Sequence, residues 1–196
     1  MKKSFLWVIG LLLGASIGCV SCEETTGTPD PYTDWEDRNQ AFIDSIARVA
    51  KASPDQWKIL HSYKFVPPIN DLNPDVNDYV YCKVLEEGTG TFSPYYTDTV
   101  STNYRGKLIP LYNGSEVVFD ESYQGILKPE IAVPVEFAVS GVIDGWTTAL
   151  QYMKEGDRWE VYIPYTLAYG TYGQSSIPGY STLIFDMQLV EIKTNR

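Results

Sequence analysis

Two groups of side chains in this sequence could do chemistry. Cys19 and Cys22 are separated by two residues near the N terminus, which is the spacing of redox pairs. A redox pair also needs a folded helix terminus to lower the pKa of one thiol, and we expect none at this position. The second group consists of aromatic and acidic side chains that recur in short blocks between residues 103 and 186. These blocks are the better candidate for a functional site.

The residues around these blocks limit the chemistry that is open to them. The only histidine, His61, precedes all the blocks, so we expect neither a histidine-based triad nor a metal site there. No glycine-rich loop opens a helix, which argues against a phosphate-binding loop. The formal net charge is −10, with 15 basic residues scattered among 25 acidic ones, so nucleic acid is not an expected partner. We expect an aromatic and aliphatic pocket that uses no cofactor.

The first residues have the pattern of an export signal. Lys2 and Lys3 precede an apolar stretch from Phe5 to Ile17. That stretch is shorter than the roughly 20 residues that span a bilayer, but it suits the core of a signal peptide. We therefore predict that residues 1–21 are removed and do not fold with the rest of the chain.

The end of this segment resembles the lipobox of bacterial lipoproteins, because small residues precede a cysteine twice in Ser16–Cys22. Cys22 is the predicted lipidation site, since the polar tether of residues 23–31 follows it at once. Cys19 is the alternative, because Gly18 is also suitable before a cleavage site. The resemblance implies a lipid anchor in a bacterial cell envelope, on the periplasmic face or the outer-membrane surface.

One amphipathic helix is predicted at residues 34–52. Residues 33–36 have the Thr-x-x-Glu form of a capping box, and an apolar stripe follows it. The stripe consists of Trp35, Phe42, Ile46 and Val49. Such a stripe needs a partner surface, and we favour packing on the main domain over packing on another protein. Residues 61–77 contain several prolines and asparagines and are predicted to be a linker.

From Asp78 onward the sequence is typical of an antiparallel sheet. Fifteen tyrosines and five tryptophans in the chain favour strands over a helical bundle. Six strands are predicted, at Tyr79–Leu85, Thr97–Leu108, Glu116–Phe119, Val135–Val139, Trp159–Ile163 and Thr182–Ile192. Gly145–Met153 has helical spacing and is predicted to lie across the concave face of the sheet. Cys82 falls in the first strand with no cysteine left to pair with, so we expect a buried thiol.

Five blocks in this region resemble the successive signatures of the FKBP family. They are Asn103-Tyr104-Arg105-Gly106, Val118-Phe119-Asp120-Glu121-Ser122, Val142-Ile143-Asp144-Gly145-Trp146, residues 163–170 and residues 177–186. Each block alone is common, but five in the family's order are very unlikely to arise by chance. The resemblance covers about residues 78–193.

This resemblance implies a fold, a domain division and an activity. The fold would be α+β, an FKBP-like twisted antiparallel sheet wrapped around a short α-helix, here with an extra N-terminal amphipathic helix. Residues 1–21 would be the signal peptide, 22–77 the tether, helix and linker, and 78–196 the FKBP-like domain. The activity would be peptidyl-prolyl cis-trans isomerisation of exported proteins during their folding. A catalytically weak binding module or chaperone on the membrane surface is the alternative, and a structural subunit of an envelope complex is a third.

The resemblance also assigns roles to residues. The implied catalytic set is Tyr104, Phe119, Asp120, Ile143, Trp146 and Tyr169. Trp146 would form the pocket floor, and the backbone N–H of Ile143 and the Tyr169 hydroxyl would bind substrate carbonyls. Asp120 would hold Tyr104 or polarise the amide. The implied substrate-binding set is Val135, Phe137, Val142, Ile177 and Phe185.

This sequence departs from the family pattern at three places. Val135 stands where an aromatic residue often closes the pocket. The segments from Tyr104 to Phe119 and from Asp120 to Val135 are longer than in compact members, and we expect them to flank the pocket mouth. The loop before Ile177 lacks a second apolar residue. We expect this to affect the affinity for macrolides more than the fold. The implied partners are proline-containing polypeptides, a membrane through the lipid anchor, and macrolides.

Overall fold

The computed structural model of the protein describes residues 29–65 and 75–194. The predicted signal peptide, both candidate lipidation cysteines and part of the predicted linker lie outside the described residues. Among the residues described, no helix is both long and apolar enough to cross a membrane.

The described chain contains two α-helices and seven strands. The helices are α1 (Trp35–Ala52) and α2 (Asp144–Leu150). The strands are β1 (Trp57–His61), β2 (Tyr79–Glu86), β3 (Thr99–Leu108), β4 (Val118–Glu121), β5 (Val135–Ala138), β6 (Arg158–Ile163) and β7 (Leu183–Lys193). Short 3₁₀ turns occur at Val76–Asp78, Val139–Gly141 and Tyr165–Leu167.

All seven strands form one antiparallel sheet in the order β1-β2-β6-β7-β3-β4, and β5 also pairs with β3. The predicted α+β class and the six predicted strands are confirmed. Strand β1 was missed, because Trp57 and Ile59 lie on one face of it and Leu60 on the other. A five-residue strand with apolar side chains on both faces shows no alternation that would identify it.

The inner face of the sheet packs on α2, as predicted. Gly145 allows this close approach, since a Cβ there would lie 2.3 Å from a methyl group of Ile163. Side chains of β6 and β7 on this face, such as Val161 and Met187, are fully buried. The Cys82 thiol is also fully buried and unpaired, as predicted, and burial raises its pKa.

Helix α1 lies on the outer face of the sheet, so the prediction that it packs on its own domain is confirmed. Phe42 contacts Tyr162 with ring centroids 6.1 Å apart, and Trp57 stacks on Tyr162 at 5.5 Å. Ile43 and Ala50 are each only 1% exposed. The helix therefore adds a second apolar layer to the sheet.

Two details of the predicted helix were wrong. Val49 is 48% exposed, because the buried face runs through Asn39, Ile43 and Ala50 instead. The capping box does not form, because the Thr33 hydroxyl donates to the carbonyl of Asp30 in the preceding turn. Asp34 occupies the N-cap position with a left-handed backbone and no side-chain cap.

Candidate active site

A cavity of about 600 Å³ opens between α2, the β3–β4 edge of the sheet and the segment that leads into β7. All six residues of the predicted catalytic set line it: Tyr104, Phe119, Asp120, Ile143, Trp146 and Tyr169. Four of the five predicted substrate-binding residues line it too: Phe137, Val142, Ile177 and Phe185. Val135 is absent from the lining and is 38% exposed on β5.

We call the rigid side of the cavity the sheet wall, formed by Tyr104, Phe119, Phe137, Trp146 and Phe185. Its centre is Trp146 on α2, which is 4% exposed. The indole makes edge-to-face contacts with Tyr104 at 5.2 Å, Phe137 at 5.3 Å and Phe185 at 5.1 Å. Edge-to-face rings attract each other beyond the effect of area burial. The cavity floor is therefore a connected aromatic cluster whose shape is set by packing.

Gly106 explains how two of these rings reach the cavity. A Cβ at this position would lie 2.6 Å from the rings of both Phe119 and Phe185. The two rings, with centroids 5.5 Å apart, pack directly over the β3 backbone at this point. Any larger residue would force them apart.

Asp120 and Tyr104 form the polar edge of the sheet wall. The Tyr104 hydroxyl donates to the Asp120 carboxylate at 2.8 Å. Burial raises the pKa of Tyr104, and the hydrogen bond to Asp120 raises this pKa further, so the phenol stays protonated and oriented. Ser122 makes two hydrogen bonds to the Tyr104 backbone. Its hydroxyl accepts from the Tyr104 N–H at 2.8 Å, and its backbone N–H donates to the Tyr104 carbonyl at 2.8 Å.

Val142 and Ile143 enter the cavity directly before the first turn of α2. Ile143 is the N-cap residue, with an extended backbone. Backbone N–H groups at such a position have no partner within the helix. The carboxylate of Asp144, the first helical residue, accepts from the Tyr63 hydroxyl at 2.9 Å and from Lys64 at 2.8 Å. The segment after β1 thus holds the start of α2 in place.

We call the opposite side the loop wall, which is the segment of residues 169–181 between the last 3₁₀ turn and β7. It supplies Tyr169, Gln174, Ser175, Ser176 and Ile177 to the cavity. Burial raises the pKa of Tyr169, and the nearby Asp120 charge raises this pKa further. The phenol therefore faces the cavity as a neutral hydrogen-bond donor.

Four lining residues were missed by sequence reasoning: Gly141, Gln174, Ser175 and Ser176. The last three are placed by a tight turn in which Gln174 and Ile177 exchange two backbone hydrogen bonds. Their side-chain types carried no signal, because the backbone shape brings them to the cavity.

The arrangement suits binding of a small apolar ring next to an amide. The cavity lining contains no cysteine, histidine or lysine. Within residues 29–65 and 75–194, no group of three or more His, Cys, Asp or Glu side chains could hold a metal ion. What the described site offers is an aromatic enclosure, two phenols, one carboxylate and the backbone at the start of α2.

Comparison with known proteins agrees with this geometry. The chain is 44% identical over 111 residues to the FKBP-type 22 kDa peptidyl-prolyl cis-trans isomerase of Escherichia coli, covering 56% of this chain and 48% of that protein. It is 39% identical over 112 residues to the outer membrane protein MIP of Legionella longbeachae, covering 57% and 43%. The crystal structure of FkpA from Escherichia coli matches with a TM-score of 0.58 and 31% identity, over 84% of this chain and 63% of that one.

The chain spans about half, or less, of the length of the curated relatives it matches. The family model described as FKBP-type peptidyl-prolyl cis-trans isomerase matches residues 90–190, a little over half of the chain. The chain therefore belongs to the FKBP-type peptidyl-prolyl cis-trans isomerase family.

Proposed function

We propose that this protein is a peptidyl-prolyl cis-trans isomerase that acts on proline-containing polypeptides. The observation that carries the proposal is the cavity itself, where the buried Trp146 floor lies beside the Tyr104–Asp120 pair and faces Tyr169. A proline ring is small and apolar and suits such an enclosure, while the adjacent amide meets its polar edge.

The reaction is a rotation and needs no bond to break. Resonance gives the X–Pro C–N bond partial double-bond character, and the barrier to rotation is about 18–20 kcal/mol. The planar amide has more charge separation than the twisted amide. Moving it from water into an aromatic cavity therefore disfavours the planar ground state relative to the twisted transition state.

The residues that line the cavity would have different roles in this reaction. Trp146, Phe119 and Phe185 enclose the proline ring and exclude water. Tyr169 donates from the loop wall to a substrate carbonyl, and the Ile143 N–H donates from the start of α2. Asp120 keeps Tyr104 oriented and places a negative charge beside the rotating amide. Phe137, Val142 and Ile177 would contact the residues next to the proline.

A protease-coupled assay on a short X–Pro peptide tests the proposal. Spontaneous isomerisation takes tens to hundreds of seconds. The wild-type chain should make it much faster. Asp120→Ala should lose much of this gain, whereas Glu121→Ala should keep it. Glu121 is the adjacent residue on β4 but pairs with Arg105 on the outer face. No rate gain in the wild type would refute the proposal.

A second candidate function is polypeptide binding without efficient catalysis. It is favoured by the long segment between β4 and β5, where Ile126, Ile131 and Val133 are 82%, 71% and 76% exposed. These residues line a groove of about 530 Å³ that starts at Ser122, next to Tyr104. Exposed apolar side chains in a groove are typical of interaction sites. The test is binding of an unfolded, proline-free polypeptide to the wild type and to Ile131→Ser. Binding by the wild type that is lost in Ile131→Ser would support this function.

We further propose that the protein is anchored in a bacterial cell envelope through a lipid on Cys22, or on Cys19. The support is the lipobox-like sequence and the name of the Legionella relative as an outer membrane protein. Mass spectrometry of the mature N terminus from membranes would decide between the cysteines. Unmodified protein beginning at Met1 would refute the anchor.

Macrolides, as further ligands, would occupy the cavity beside Trp146 and compete with the X–Pro peptide.

We keep residues 1–21, 22–77 and 78–196 as the proposed division of the chain. Its support is the family-like region after residue 78, to which β1 adds an edge strand from the preceding segment. Limited proteolysis is expected to cut within residues 62–77 before it cuts inside the sheet. Cleavage first inside residues 78–196 would argue against this division.

A further inference from the structure

Helix α1 makes polar contacts close to both ends of the loop wall. At the C-terminal end, the Asn39 side-chain carbonyl accepts from the backbone N–H of Thr182 at 2.7 Å. The Trp35 indole N–H donates to the Ser181 hydroxyl at 3.0 Å, and that hydroxyl donates to the carbonyl of Pro178 at 2.6 Å. Trp35, Asn39, Ser181 and Thr182 are 8%, 1%, 3% and 1% exposed. Because water cannot replace these contacts, each has to be made within the protein.

At the N-terminal end the contact runs through one intermediate residue. Gln40 on α1 accepts from the Asn77 side chain at 3.1 Å, and the carbonyl of Asn77 accepts from the Thr166 hydroxyl at 2.5 Å. Thr166 lies in the 3₁₀ turn Tyr165–Leu167, three residues before Tyr169. Adjacent positions on α1, Asn39 and Gln40, therefore connect to the residues that follow and precede the loop wall.

The loop wall needs such support because its backbone is strained. Ser175 and Tyr180 adopt φ angles of 50° and 61°, in the left-handed region that side chains other than glycine rarely enter. Residues in such conformations persist only where the surrounding structure holds them. Tyr180 directly precedes Ser181 and Thr182, the two residues that α1 contacts, and Ser175 lines the cavity.

We infer that α1 is a positioning element for the cavity: Asn39 and Trp35 hold the loop wall in the shape that receives the substrate. These two residues do not line the cavity and act through Thr182 and Ser181. The inference rests on the proposed isomerase function for its kinetic consequence. Its structural consequence, that α1 controls the opening of residues 169–181, is independent of that function.

Hydrogen exchange of the full chain tests the inference directly. Asn39→Ala should speed amide exchange across residues 169–181 by about tenfold, because the loss of one buried hydrogen bond lowers the cost of local opening. Trp35→Phe keeps one aromatic ring at this position, removes the indole N–H together with part of the indole, and should act in the same direction. It also provides a second route if Asn39→Ala unfolds the protein.

Phe42→Leu is the matched control. Phe42 lies on the next turn of α1 and packs on Tyr162 of β6, with ring centroids 6.1 Å apart, and it makes no hydrogen bond to Ser181 or Thr182. This variant should loosen α1 without changing exchange in residues 169–181 by more than about twofold. Unchanged exchange there in both Asn39→Ala and Trp35→Phe would overturn the inference. An equal effect of Phe42→Leu would overturn it too, since the contacts would then serve helix docking alone.

Kinetics separate this inference from the proposed function. In Asn39→Ala and Trp35→Phe the KM for an X–Pro peptide should rise about fivefold while kcat changes less than twofold, because the sheet wall is intact. A fall in kcat at constant KM would overturn the positioning role. Absence of isomerase activity in the wild type would refute the proposed function, and the exchange result would still decide whether α1 controls the loop wall.

Discussion

The two walls of the cavity are built by different means. The sheet wall consists of aromatic side chains from α2 and four strands, and Trp146 alone contacts three other rings. The loop wall consists of an irregular segment with four residues in the left-handed backbone region, Gly170, Gly173, Ser175 and Tyr180. Packing determines the shape of the first wall, while hydrogen bonds to α1 restrain the second.

One fold can therefore combine a rigid aromatic wall with a loop wall that opens more easily. Changes in the sheet wall should affect stability and turnover together, because the same rings form core and cavity. Changes in the loop wall should affect substrate binding with little loss of global stability, because local opening costs less than unfolding. The predictions below test this division.

The largest effect is expected for Trp146→Ala. Truncating a buried tryptophan leaves a cavity and removes three ring contacts, so the free energy of unfolding should fall by about 3–5 kcal/mol. Urea denaturation followed by circular dichroism measures this change. The control Tyr152→Ala, at a site that is 55% exposed just after α2, should stay within about 0.5 kcal/mol of wild type. Equal losses in both variants would show that Trp146 is not the centre of the wall.

The next effect concerns the Tyr104–Asp120 pair. Tyr104→Phe should lower kcat/KM by about tenfold, since hydrogen bonds to charged groups are worth about 1.5–3 kcal/mol. Asp120→Ala removes the same hydrogen bond and also the negative charge beside the amide, so it should lower kcat/KM at least as much, and the double variant should be little worse than Asp120→Ala alone. Steady-state kinetics on one peptide measures all three variants. Additive losses would mean that the two residues act separately.

A smaller effect is expected on the loop wall. Tyr169→Phe keeps the ring and removes one neutral donor, so kcat/KM should fall about threefold to tenfold with no change in the urea midpoint. Tyr172→Phe is the matched control, because Tyr172 lies in the same segment and is 98% exposed. If Tyr172→Phe lowers kcat/KM as much as Tyr169→Phe, the phenol in the cavity has no special role.

The smallest effect is a pH dependence. Burial raises the pKa of Tyr104 and Tyr162, and hydrogen bonds to Asp120 and Glu160 raise these pKa values further. Their stabilising contribution is complete below the unfolded-state pKa of about 10 and is lost as pH rises above it, because the unfolded chain releases these protons first. Urea midpoints should therefore be constant from pH 7 to pH 9 and fall above pH 10.

Tyr104→Phe should make the urea midpoint fall less steeply above pH 10, because one of the two phenols with a raised pKa is then absent. Tyr172→Phe, at an exposed position, should leave it unchanged. A midpoint that rises above pH 10, or a fall that Tyr104→Phe does not reduce, would contradict the assignment of the raised pKa to this buried phenol.

The sheet wall could largely be predicted from the sequence. Its strands alternate clearly, and the residues Tyr104, Phe119, Trp146 and Phe185 lie in blocks that resemble a known family in order. The resemblance identified side chains whose positions follow from strand register. It also named Val135, which lies on β5, is 38% exposed and is absent from the cavity lining.

The loop wall and its support could not be predicted in the same way. Gln174, Ser175 and Ser176 reach the cavity through a tight turn closed by backbone hydrogen bonds between Gln174 and Ile177, which their side-chain types do not predict. Asn39 is a polar residue on the buried face of a helix, and its partner Thr182 is 143 residues away. Helical periodicity reports apolar faces, so a buried asparagine with a distant backbone partner leaves no local signal.

The most direct test of the account is exchange NMR on an isotope-labelled X–Pro peptide mixed with the wild-type chain. One sample reports both binding, through shifts of the peptide signals, and turnover, through exchange between its cis and trans signals. The account predicts that both occur, that Asp120→Ala reduces exchange far more than binding, and that Glu121→Ala changes neither. Binding without faster cis-trans exchange in the wild type would contradict the isomerase function and leave a polypeptide-binding module.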